Sequence, residues 1–157
     1  MSLTIQPAPI RKVLSVRATP QRAFEIFTVG FDRWWPKTHH IGASPLKKAV
    51  IEPNVGGRWY GLHEDGSESL WGDVLAWEPP GRLVLAWRIN GEWRYDPALL
   101  TTVEVRFMGL GSGETRVEFE HRDLDRLGDS DTANKTRESM GGGWGKILES
   151  FQSVVDG

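Results

Sequence analysis

Residues 131–156, DTANKTRESMGGGWGKILESFQSVVD, decide the fold. Met140, Trp144, Leu148, Phe151 and Val155 recur there at helical spacing and form one apolar stripe. Such a stripe needs a surface to lie on. The same stretch carries Gly141, Gly142, Gly143 and Gly145, and each glycine costs about 1 kcal/mol relative to alanine in a helix interior. Two readings account for them. Either the glycines end one helix and begin another, or they thin a continuous helix where it faces a space left open for a ligand. Local sequence favours the first, and both leave room beside Trp144.

The surface for that stripe lies upstream. From Ala49 onward apolar and polar residues alternate, with turn signals at regular intervals, as in an antiparallel meander. The strands read as 49–53, 58–64, 69–78, 82–90, 100–108 and 114–121. Alternation places Leu83, Leu85, Trp87 and Ile89, then Thr101, Val103, Val105 and Phe107, then Val117, Phe119 and His121 on the inner face. Their neighbours Arg82, Arg88, Glu104, Arg106, Glu118 and Glu120 are charged, which directs them to solvent. In 69–78 both faces are apolar, Trp71, Leu75 and Trp77 against Leu70, Val74 and Ala76, so the register stays open.

Before the meander, Ile10 to Ala18 reads as a first strand. Thr19 is placed to cap a helix that opens on Pro20 and presents Ala23, Phe24, Ile26 and Phe27. Gly30 ends that helix, and a short second one, Phe31 to Trp35, stops at Pro36. Thr38 to Lys48 lacks periodicity and reads as a loop able to cover an opening. The expected fold is α+β: a curved seven-stranded antiparallel sheet whose first strand pairs with its last, two short helices, and the C-terminal helix across the concave face. Residues 1–9 form an N-terminal extension and 10–157 a single domain. A bent sheet holding one helix leaves a cavity where the filling side chains are too few.

Composition narrows the function. With 19 Lys and Arg against 21 Asp and Glu, the formal net charge is -2, so no overall basic field invites nucleic acid or an anionic membrane. The chain has no cysteine, which removes disulfides, thiol chemistry and cysteine metal ligands. No signal-peptide core opens it and no apolar run reaches the ~20 residues of a membrane span, so the cytoplasm is the expected compartment. Eight tryptophans are the unusual feature. Each buries a large area and, once covered, needs a partner for its indole N–H.

The order of elements, with TPQRAFEIFT (19–28), WWP (34–36), PNVGGRWY (53–60), DGSESLWGDVLAWEPPGRLVLAW (65–87), VEFEH (117–121) and GGGWGKILESF (141–151), resembles the helix-grip START-like superfamily, also called SRPBCC or Bet v 1-like. Within it the chain is similar to the bacterial activator-of-Hsp90-ATPase-homologue group. The resemblance spans residues 10 to 155. It implies a seven-stranded sheet, a long C-terminal helix and a hydrophobic ligand cavity, without fixing one activity. In the eukaryotic activators a separate N-terminal domain makes a major chaperone contact, and this sequence does not contain it, so a chaperone contact is not expected.

Three functions follow as expectations. The first is binding of a small hydrophobic or aromatic ligand by Trp35, Trp71, Trp87, Phe107, Phe119, Met140 and Trp144, with His121 as the inward polar residue and His39 on the covering loop. The alternative for His121 is a strand-end histidine bonded to a nearby carbonyl. The second, less favoured, is a reaction like that of the polyketide cyclases and dehydratases of the same superfamily, with His121 or His39 as acid/base and Asp73 as partner. The third is a protein-interaction domain using exposed aromatics such as Trp59 or Trp93, including a co-chaperone-like role. His39-His40 lacks the spacing of most metal-ligand pairs, so neither a metal nor another cofactor is expected. A homodimer is compatible with the sequence.

Overall fold

The computed structural model describes residues 7–157. The first six residues of the N-terminal extension lie outside it. Seven strands form one antiparallel sheet in the order β1-β7-β6-β5-β4-β3-β2. They are β1 (Ile10–Val16), β2 (Leu46–Ile51), β3 (Arg58–His63), β4 (Glu68–Glu78), β5 (Arg82–Trp87), β6 (Thr101–Gly111) and β7 (Glu114–Arg122). Helices α1 (Pro20–Phe27) and α2 (Phe31–Trp34) follow β1, a short 3-10 helix covers Leu124–Leu127, and α3 (Asp131–Asp156) ends the chain. The sheet is a meander except for one long connection that brings β1 beside β7, with Ile10 opposite His121 and Val16 opposite Thr115.

Local chemistry sets the helix boundaries. Thr19 accepts from the Arg22 amide at 3.3 Å, and Pro20 occupies the first turn, where its missing N–H costs nothing. Ser130 caps α3 by accepting from Ala133 N–H at 3.1 Å. The four glycines do not divide α3, which runs unbroken for 26 residues. Met140, Trp144, Ile147, Leu148, Phe151 and Val155 are all buried along its inner side, and burial of that whole face outweighs the glycine cost. A Cβ added at Gly141, Gly142 or Gly143 would meet nothing within 4 Å, so close packing does not require glycine there.

Alternation fails in β4 because two bulges interrupt its ladders, one opposite Trp59/Tyr60 and one between Val74 and Ala76. Each extra residue shifts the parity, so Trp71 and Val74 are both buried while Leu75 is exposed. Trp59, expected on the outer face, is in the core at 1% exposure. The second strand begins at Leu46, inside the stretch read as loop.

The convex face departs from expectation at one charge. Glu104 is outward-facing yet buried, covered by arginines from three strands. Arg82 Nε donates to it at 2.7 Å, Arg106 Nε at 2.9 Å and Arg122 at 2.6 Å. Arg122 also donates to Glu120 at 3.1 Å, and Arg11 donates to Glu120 at 2.7 Å. The network ties β1, β7, β6 and β5 together. Burial alone pushes the Glu104 carboxyl up, but the hydrogen bonds from Arg82 and Arg122 and the positive charge of Arg82 and Arg106 more than offset it and hold the group at about 2. Its folded value lies below the ordinary 4.5, so its stabilisation is complete above that value and is lost as pH falls through about 2. Glu104→Gln is expected to lower stability at neutral pH by about 2 kcal/mol, allowing for the partly exposed arginines, and to flatten the acid limb below pH 4.5. Urea unfolding of both proteins across that pH range measures both effects.

Candidate functional site

The interior beneath α3 has two unequal halves. In one, Phe24, Phe27, Trp34, Phe107 and Phe151 interlock, with ring centroids 5.4 Å apart for Phe24–Phe107, 4.8 Å for Phe27–Trp34 and 5.1 Å for Phe27–Phe151. Trp34 Nε1 donates to the Ile26 carbonyl at 3.0 Å, and Ser150 Oγ donates to the Trp34 carbonyl at 2.7 Å. That half is full. The other half holds a cavity of about 280 Å³. Its deep walls are Trp35, Trp71, Trp87, Ile89, Met140, Gly143, Trp144 and Ile147, and its mouth carries Thr38, His39, His40, Ile41, Trp93 and Ser139.

The lining rings brace one another. Trp35 lies 5.2 Å from Trp71 and 5.9 Å from Trp144, and Trp87 lies 5.7 Å from Trp144. Trp35 Nε1 donates to the His39 carbonyl at 2.7 Å, so the elbow holds the loop above it. A second fastening comes from His63. Its Nδ1 lies 2.8 Å from the Ser44 carbonyl and so donates there, and its Nε2 lies 2.7 Å from Ser69 Oγ. Gly42, at φ +95, passes so close that a Cβ would sit 2.8 Å from Ser69 Oγ. The loop over the cavity is therefore pinned at both ends. Among the described residues the indole N–H groups of Trp59, Trp71 and Trp87 have no acceptor. Each such orphan costs about 1–3 kcal/mol.

Of the nine candidate residues, the structure brings Trp35, His39, Trp71, Trp87, Met140 and Trp144 to one cavity. Phe107, Phe119 and His121 face inward as alternation requires, but none of them lines it. Phe107 belongs to the filled half, and Phe119 lies behind Trp144 with centroids 4.5 Å apart. Ile89 was legible from strand parity and Ile147 from its three-residue spacing to Trp144. His40, Ile41 and Trp93 come from irregular segments whose paths no periodicity reports.

His121 is fully engaged in the core. Trp144 Nε1–H donates to His121 Nδ1 at 3.1 Å, which makes Nδ1 the acceptor and leaves the proton on Nε2. Nε2–H then donates to Thr101 Oγ1 at 2.8 Å, and Thr101 donates to the Trp87 carbonyl at 3.1 Å. Every polar position in this chain is used. Burial pushes the imidazole down to about 3, only partly countered by the charge of Asp123. Asp73, its expected partner in catalysis, is instead paired with Arg88 at 2.7 Å. Both ring nitrogens of His121 are thus occupied by protein partners, and the ring does not line the cavity. Among the described residues no cluster of three or more His, Asp or Glu could hold a metal ion, and no helix is long and apolar enough to cross a membrane.

A curved antiparallel sheet closed by one long helix over an aromatic cavity defines a helix-grip domain of the SRPBCC class. Within that class the chain belongs to the family described as Activator of Hsp90 ATPase homolog 1-like protein, which it matches over residues 17–156. Among solved structures it is 37% identical to the anthrahydroquino-γ-pyrone synthase Txn09, covering 96% of this chain and 98% of that one at a TM-score of 0.67. It is 36% identical to CalC, a self-sacrificing resistance protein from Micromonospora echinospora, over 94% of each chain at a TM-score of 0.70. The Aha1 dimer from Colwellia psychrerythraea has the same fold at 14% identity, with 96% and 97% coverage and a TM-score of 0.66. Comparison with curated proteins found no match.

The state of His121 has a pH consequence. Its folded value lies below the ordinary 6.5, so the stability it contributes is complete above that value and is lost as pH falls towards about 3. Between pH 6.5 and 4.5 this loss precedes that of Glu104. Unfolding free energy is expected to decline through this window, and His121→Gln to decline less steeply. Imidazole nitrogen chemical shifts are expected to report the Nε2–H tautomer at neutral pH.

Proposed function

We propose that the protein binds a small hydrophobic or aromatic molecule in the cavity between the sheet and α3. The observation that carries this reading is the pairing of four tryptophan walls with a side-chain-free helix turn at Gly143. Glycine there is not demanded by packing, and its absent side chain leaves the volume open. The cavity lies near the lower end of the size range of small-molecule sites, roughly 300–1,000 Å³, and its few polar groups sit at the mouth. The similarity to a synthase of an anthrahydroquino-γ-pyrone, at 37% identity over nearly the whole chain, supports an aromatic ligand.

A cyclase-like reaction is the second reading, and the same similarity to a synthase favours it. Its acid/base group would be His39 or His40, the two imidazoles at the mouth. Neither a chaperone partner nor a pathway is needed for either reading.

Gly143→Leu fills the cavity, whereas Gly142→Leu places the same side chain on the exposed part of the helix. Uptake of anilinonaphthalene sulfonate, followed by its fluorescence, is expected to fall at least tenfold in Gly143→Leu and to stay unchanged in Gly142→Leu, with both variants folded by circular dichroism. Equal uptake by the two folded variants would remove the cavity as the binding site.

A further inference from the structure

Seven of the eight tryptophans lie in ring–ring pairs of the interior. Trp93 is the exception, and among the described residues its ring has no aromatic partner. It stands at the cavity mouth with His39 and His40, 45% exposed. Its backbone has φ 60, a left-handed conformation that bulky residues rarely adopt. Glycine or asparagine would suit that turn better, and a side chain so exposed adds little to the core.

The turn is nevertheless built to keep Trp93 in place. Asn90 Oδ1 accepts from the amides of Glu92 at 2.9 Å and Arg94 at 3.1 Å, on either side of Trp93. The Trp93 amide donates to the Asn90 carbonyl at 3.0 Å. Gly91 is docked on α3, where Thr136 Oγ1 donates to its carbonyl at 2.9 Å. An otherwise unpartnered ring, held rigidly in an unfavourable backbone conformation at the edge of a cavity, points to function.

We infer that Trp93 is the outer stacking wall of the site, and that the ligand is a flat fused-ring aromatic whose exposed face it covers. This rests on the ligand-binding reading above and specifies the shape of the ligand. The deep tryptophans are fixed by mutual contacts and supply apolar surface to any shape. Trp93 contributes a free ring face, which rewards a planar partner over a globular one of equal hydrophobicity.

The test measures affinity for anthraquinone carboxylate and for adamantane carboxylate by isothermal titration. Trp93→Leu is expected to weaken the flat probe about tenfold and leave the globular probe within about twofold, while Trp93→Phe retains the flat probe. Asn90 is a positioning residue: Asn90→Ala is expected to weaken the flat probe selectively, and Asn90→Asp, which keeps the accepting Oδ1, to restore it. Melting temperatures of the Trp93 variants should match that of the parent, because the side chain is exposed. Unchanged affinity of Trp93→Leu for anthraquinone carboxylate, or equal weakening of both probes, overturns the assignment of Trp93 while the binding reading stands. A parent protein that binds neither probe overturns both.

Discussion

The hydrogen bond from Trp144 to His121 joins the two layers of the molecule, and the interior is arranged around it. Trp144 belongs to α3 and His121 to β7, and Thr101 and the Trp87 carbonyl continue the chain across β6 to β5. One run of donors and acceptors thus sets the depth at which the helix lies on the sheet. Because all its members are buried, breaking it would leave unsatisfied polar groups in a low-dielectric interior. The geometry also determines the tautomer of His121 and keeps the ring neutral. A residue whose position invites a catalytic role therefore serves to orient Trp144, whose ring is a wall of the cavity.

The unequal filling of the interior follows from where α1 and α2 lie. They deliver Phe24, Phe27 and Trp34 against Phe107 and Phe151, and the resulting edge-to-face contacts leave no space. At the other end Phe31 and Trp35 reach across to Trp71, only Trp35 of the two lining the space, and α3 there presents Gly143. The open half keeps its shape because its tryptophans brace one another and because the covering loop is tied down by Trp35 and His63. Three indole donors without acceptors are part of this arrangement. Two of those indoles, Trp71 and Trp87, line the cavity, and this is the half with room for another molecule.

The convex face divides its labour differently. Buried Glu104 and its three arginines join β5, β6 and β7 by charge-assisted hydrogen bonds, so these strands are tied on the outer face as well as beneath α3. Burying such a carboxylate is tolerable only because it is fully partnered. The inner and outer faces respond to acid through different groups, His121 first and Glu104 at lower pH.

Periodicity made most of the architecture legible. The 3.6-residue stripe at Met140, Trp144, Leu148 and Phe151, and the two-residue alternation in 82–89, 101–107 and 117–121, define a helix and strands that can bury those faces in essentially one way. Trp87, Met140 and Trp144 were legible at the cavity for the same reason, since inward parity and helical spacing report direction. Direction is not depth, however. Phe107, Phe119 and His121 point inward but are covered by Phe24, Phe27 and Trp144, a fact that depends on residues distant in sequence. Parity also failed in β4, where bulges displaced Trp71 and Val74, and at Glu104, whose burial depends on arginines from three strands. Whether the glycines end α3 was decided by burial of the whole helix face, which no local propensity contains. Trp93 reaches the cavity mouth only through the tertiary docking of its turn on α3.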